Sequence, residues 1–215
     1  MTGFFGKVVT HGDFVSRRLP GELVAAWDDW LQRCIHASRQ QLGADWLTHY
    51  LTSPVWRFAL APGVLGPQGW GGVMMPSVDR VGRHFPLLIA APGNAPLLDW
   101  VHQQGPWYDT IDDLARSSLD ADFSLERFDG APELAMAGPI ARGSAGAAGA
   151  CLPLTTDMSA AVAHAALRGH SLWWTEGSPS IAASLLVCQG MPAPDAFSAM
   201  LDGSWTARGW SLDGV

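Results

Sequence analysis

The chain has 215 residues, of which 48% are hydrophobic and 15% charged, and its formal net charge is −7; it carries enough apolar material for a sizeable core and too little charge for a disordered chain. The charge is uneven, with eight Lys/Arg against six Asp/Glu in residues 1–93 and five against fourteen in the remainder. The net acidity argues against nucleic acid as the main ligand, because phosphate binding needs a basic footprint, whereas a protein partner that reads one basic face is allowed.

The chain opens with a β-like stretch, Phe4 to Thr10, followed by HGDFVSRRLP, which reads as a polar loop with Phe14 and Val15 tucked in and Arg17 and Arg18 on a basic face. Residues 21–42 form the clearest helix: Leu23, Trp27, Trp30, Leu31, Cys34, Ile35 and Ser38 recur at 3.6-residue spacing, and Gly43 is placed to cap the C-terminus. ADWLTHYLTS makes a short second helix that Pro54 ends. VWRFALAP, WGGVMMP and the wholly apolar PLLIAAP read as three strands of a meander, the first two joined by the turn-rich GVLGPQG.

Residues 97–104 and 107–119 are predicted helices broken apart by Gly105-Pro106. The Gly/Ala-rich stretch GPIARGSAGAAGA, residues 138–150, reads as a loop or linker, and TTDMSAAVAHAALRGH as a helix capped by Thr155 or Thr156. HSLWWTEG and IAASLLVCQG are two further strands, with Trp173 and Trp174 on opposite faces, and PAPDAFSAMLDG is a closing helix.

Strands in neighbouring groups, not alternating strictly with helices, predict an α+β fold: a mostly antiparallel central sheet packed by helices in a single compact domain. Residues 1–137 supply its first part, 138–150 a loop, and 151–215 a helix-hairpin-helix region whose strands complete the same sheet, because a lone hairpin is marginal. Some of the eleven Trp are expected at the surface or an interface. The three cysteines match no zinc or redox spacing, which suits a reduced cytoplasmic chain. The N-terminus lacks the pattern of a signal peptide, and no apolar run reaches the ~18 residues of a membrane span.

The densest polar cluster lies in PSVDRVGRHFP, residues 76–86, between the second and third strands of the meander. Ser77, Asp79 and His84 imitate a hydrolytic triad, but three members within one loop make poor geometry for a Ser–His–acid relay. No G-x-S-x-G elbow, phosphate-binding loop around the sole lysine Lys7, or metal-ligand spacing accompanies them, so no cofactor or metal is expected. The alternative is a tied-down connection. Ser77 and Asp79 accept backbone amides, Gly82 takes a positive φ, Val78, Val81 and Phe85 anchor the loop in the core, and Arg80 or Arg83 forks onto a carboxylate elsewhere, with Asp13 the foremost choice. Exposed arginines would then be open to a partner.

The segments FFGKVVTHGDFVSRRLP, WDDWLQ, SPVWRFALAPGV, GGVMMPSVDRVGRHFPL and GHSLWWTEG resemble the TagF/ImpM family of bacterial type VI secretion-associated proteins. The resemblance spans most of residues 1–93 and returns near 169–177, while residues 120–160 show no placeable motif. It implies a non-enzymatic cytoplasmic protein of Gram-negative bacteria that represses assembly or firing of the secretion system post-translationally. It implies a protein partner in that apparatus, such as a forkhead-associated scaffold, and neither nucleic acid nor membrane insertion. The family supplies no catalytic residues to carry over. On this reading Asp13, Arg17, Arg18, Ser77, Asp79, Arg80 and Arg83 are the partner-binding or structural signature. A small hydrolase using Ser77, Asp79 and His84, and a structural accessory subunit of the apparatus, are the competing readings.

Overall fold

A computed structural model describes residues 1–93, 95–103, 105–135 and 166–211. At its centre lie β3 (Trp56–Leu60), β4 (Trp70–Met75) and β5 (Leu87–Pro92), the predicted meander. Every residue of β4 is buried, because helices cover both faces of the sheet at this point. β1 (Gly3–Gly6) adds to β5, and the hairpin of β6 (His170–Thr175) and β7 (Ser184–Gln189) adds to β3. With β2 (Val15–Arg17) outermost beside β1, the sheet has seven strands in the order β2-β1-β5-β4-β3-β6-β7, and every neighbouring pair is antiparallel. The fold is α+β, as the grouping of strands predicts.

The alternation of strand side chains divides the core in two. On one face Trp56, Phe58, Leu60, Met74, Leu88 and Trp173 pack against α1 (Gly21–Leu42) and α2 (Trp46–Thr52). The buried residues of α1 are the seven that the 3.6-residue spacing selects. Ser38 is buried among them because its hydroxyl donates to the Ile35 carbonyl at 3.0 Å and accepts from the Trp46 indole at 2.9 Å. On the other face Ala59, Val73, Leu87, Ile89 and Leu172 pack against α3 (Leu97–Gln103), α4 (Gly105–Ser117) and α5 (Leu125–Asp129). Here Gly71 is obligatory: a Cβ at this position would lie 2.2 Å from Cζ3 of Trp100, the α3 residue that crosses it. Arg57, on the same face, holds α4 through Asp109 at 2.9 Å and Asp112 at 3.4 Å.

Several local expectations are corrected. HGDFVSRRLP is not wholly a loop: Val15–Arg17 is a strand, hidden from pattern reading because it is three residues long and buries Val15 alone. Gly105-Pro106 opens α4 instead of separating two helices; a first-turn proline lacks only an N–H that has no helical acceptor there. The strand expected from Ile181 begins at Ser184, and the closing helix is a 3-10 turn (Pro194–Ala196) followed by the single-turn α6 (Ala199–Asp202). None of the eleven Trp is exposed, since the two cores absorb eight and the other three are half-buried. Their polar ends are met within the fold in several cases, as when the indoles of Trp30 and Trp56 donate to the carbonyls of Pro192 and Met200 at 2.8 and 3.0 Å. The 138–150 loop and most of the helix expected after it lie outside the described residues.

Candidate interaction site

The β4–β5 connection begins with its backbone tied down from two sides. From α2, the Tyr50 hydroxyl donates to the Ser77 carbonyl at 2.8 Å and accepts from the Ser77 amide at 2.9 Å. From the end of β1, the Lys7 carbonyl accepts the Ser77 hydroxyl at 2.7 Å. A bridge between Val78 and His84 then closes a tip of five residues, Asp79 to Arg83. Gly82 turns the tip at φ +85°, a conformation that costs a residue with a Cβ.

Asp79 organises this tip. Its side chain is fully buried. Oδ1 accepts from the amides of Val81 at 3.0 Å and Arg83 at 2.8 Å, while Oδ2 accepts from Nε of Arg83 at 2.7 Å and from the Lys7 ammonium. Burial by itself would raise the carboxyl's pKa. The Lys7 ammonium, the Arg83 amide and guanidinium, and the Val81 amide outweigh that and hold it well below the usual carboxylate range. A buried charge persists where it is paired and hydrogen-bonded in this way.

The tip is also fastened to the loop after β1. The Arg80 amide donates to the His11 carbonyl at 3.0 Å, and the Arg83 guanidinium donates to the Gly12 carbonyl. Lys7 lies over the ring of Phe14 at 4.8 Å, and Phe14 stacks on Phe5 and meets Phe85 edge-on. Phe14 is nonetheless 42% exposed, so it is only partly tucked in.

The predicted site residues therefore fall into different roles. Ser77 and Asp79 are buried parts of the frame. Arg83 belongs half to the frame through Asp79 and Gly12. Neither Arg80 nor Arg83 forks onto Asp13, which is exposed and accepts the Phe14 amide at 2.8 Å. The Asp13 carboxylate closes its own turn, and Asp79 has taken the guanidinium of Arg83. Val81 is no core anchor: at 65% exposure it points outward from the tip, and Phe85 does the anchoring. The exposed Arg80 side chain makes no hydrogen bond or ion pair among the described residues. The tip thus presents one unpaired guanidinium beside one apolar side chain.

Arg17 and Arg18 are less available. Arg18 adopts φ +60°, donates from Nε to the Thr2 carbonyl at 2.9 Å and pairs with Asp129 of α5, with its guanidinium over the Phe4 ring. Arg17 lies 3.5 Å from the same carboxylate. Between these residues and the loop after β1 runs an open groove of about 470 Å³, lined by Thr10, His11, Arg17, Ser124, Glu126 and Asp129.

Ser77, Asp79 and His84 are not hydrogen-bonded in series. The Ser77 hydroxyl is spent on the Lys7 carbonyl, and the His84 ring meets the rings of Tyr50 and Trp46 edge-on at 5.5 and 6.0 Å. Partial burial and the Arg39 guanidinium lower the His84 pKa, against a smaller opposing pull from Asp79. Among the described residues no group of three or more His, Cys, Asp or Glu is placed to hold a metal ion, and no helix is long and apolar enough to cross a membrane.

Lys7, Tyr50 and Asp129 escaped the sequence reading as members of this region. A lone lysine in an arginine-rich chain is a signal for Lys7, but its partner is 72 positions away.

Residues 3–134 match the model of the TagF N-terminal domain, described as type VI secretion system-associated. Among solved structures, the crystal structure of PA0076 from Pseudomonas aeruginosa PAO1 is similar over 100% of this chain and 98% of that one, with 39% identity and a TM-score of 0.89. No curated protein matches the chain.

Proposed function

Since the chain belongs to the TagF family of type VI secretion-associated proteins, we propose that it is a non-enzymatic, cytoplasmic regulator that represses assembly or activity of that secretion system post-translationally. It does so by binding a component of the apparatus such as a forkhead-associated scaffold protein. The observation that carries this reading is the tip of the β4–β5 connection, where Arg80 and Val81 project from a frame fixed by Asp79, Lys7 and Tyr50. A contact held in place beforehand loses less freedom on binding than one carried on a loose loop. An arginine beside an apolar anchor is also the composition that interfaces favour.

The non-enzymatic part of the proposal is supported by the use to which the candidate groups are put. Ser77 and Asp79 are engaged by backbone and by Lys7 and Arg83, so neither is poised as a nucleophile or a general base.

The test is capture of the forkhead-associated scaffold by the purified chain, comparing wild type with Arg80→Glu. Among the described residues the Arg80 side chain has no partner, and the bond from its amide to the His11 carbonyl does not depend on that side chain, so the variant keeps its circular dichroism spectrum. The proposal expects scaffold capture to fall at least about tenfold, as for the loss of a charged interface contact. Undiminished capture by a folded Arg80→Glu removes this tip as the contact, and no capture by wild type removes the scaffold as the partner.

A further inference from the structure

We infer that β7 is an open pairing edge through which two copies of this chain associate, strand against strand, about a two-fold axis. The two ends of the sheet are built differently. β2 is three residues long, carries Arg17 and leads into Arg18 at φ +60°, and both guanidiniums are drawn toward Asp129. Such an edge is short, charged and turned away, which are the devices that prevent sheets from joining.

β7 has none of these devices. It runs for six residues, SLLVCQ, without a charge or a proline, and among the described residues it pairs with β6 alone. In an antiparallel terminal strand, alternate residues turn their N–H and C=O groups outward, unpaired. The same strand shows water two apolar side chains, Leu185 at 56% and Val187 at 39% exposure, while Leu186 between them is buried in the core beneath α1. Strand alternation puts Leu185 and Val187 on one face.

An occupant must supply an uncharged backbone edge and apolar side chains on that face. β7 itself meets both requirements. Antiparallel pairing of two copies centred on Leu186 sets Leu185 of each against Val187 of the other, an apolar cross-strand contact made twice by symmetry. No like charges are opposed, since the strand carries none. The contact is small: two short strands and these side chains bury less than the ~1,200 Å² of a standard stable interface. The dimer is accordingly weak and reversible, with a dissociation constant of roughly 10 μM to 1 mM.

The experiment is sedimentation velocity on the full chain from about 5 μM to about 500 μM, a range chosen to bracket that affinity. The expected result is a mass average that rises from monomer toward dimer for wild type and stays at monomer for Leu185→Lys/Val187→Lys with an unchanged circular dichroism spectrum. A wild type that stays monomeric throughout, or a dimer that survives both lysines, overturns the inference. Hydrogen exchange of wild type at the two concentration limits reads the same surface without any variant. β7 amides that exchange more slowly at the higher concentration support it, and unchanged β7 exchange overturns it even if the lysine variant does not fold.

Discussion

The Lys7 ammonium and the Asp79 carboxylate form a buried ion pair across 72 positions of sequence, joining the end of β1 to the tip of the β4–β5 connection. Removing Asp79 leaves the buried Lys7 ammonium without its counter-charge, removing Lys7 leaves the buried carboxylate to Arg83 and two amides alone, and removing both with apolar replacements leaves neither of the two charges behind. Lys7→Met and Asp79→Leu should therefore each lower stability markedly, and the double variant should lose less than the sum of the two. Urea denaturation of the four proteins of this cycle measures the difference. Additive losses would mean that the pair is not coupled.

The same carboxylate sets a pH dependence. Its folded pKa is depressed, so the unfolded chain binds the proton more readily. The stabilisation is complete above the unfolded-state value of about 4 and is lost as pH falls from there through the folded value. Denaturation midpoints of wild type should fall between about pH 4 and pH 2 more steeply than those of Asp79→Asn, which has no proton to take up there. Parallel profiles would remove Asp79 as the source.

Tyr50→Phe deletes one oxygen that serves both backbone groups of Ser77. The buried Ser77 carbonyl keeps the Phe85 amide at 3.1 Å, but the Ser77 amide is left without its partner, at a cost of about 1–3 kcal/mol for an unsatisfied buried group. Chemical denaturation reads the loss. Faster hydrogen exchange confined to the β4–β5 connection would localise it.

Gly71→Ala tests the packing of α3 on the sheet. The added methyl meets the Trp100 ring at 2.2 Å, so ring or helix must shift. Overpacking of this kind costs about 1–3 kcal/mol, read as a lower urea midpoint at unchanged slope.

What could be read from the sequence follows the range of the interactions. The buried face of α1 and the runs of β3 to β5 are local patterns, repeated every 3.6 residues or carried by unbroken apolar stretches, and the structure has them at the expected positions. The likeness of GDFVSRRLP and PSVDRVGRHFP to one family was legible for the same reason, as contiguous text. Pairings across the chain were not. Arg18 finds Asp129 across 111 positions and Lys7 finds Asp79 across 72, and nothing in the spacing of either residue names its partner. Val81 misled because an apolar residue between polar ones reads as an anchor, although the tip it sits on has only five residues and one side already fixed by Asp79. α5 leaves little trace in the sequence because it is barely more than one turn, between Ser124 at its N-cap and Gly130 at its C-cap.

On the proposed function, the tip of the β4–β5 connection represses type VI secretion through Arg80. The most direct measurement is export of a type VI substrate from cells that overproduce either the wild-type chain or Arg80→Glu, with both accumulating to the same level. Wild type is expected to suppress export, and Arg80→Glu to leave it close to that of cells without overproduction. Equal suppression by the two proteins would contradict it.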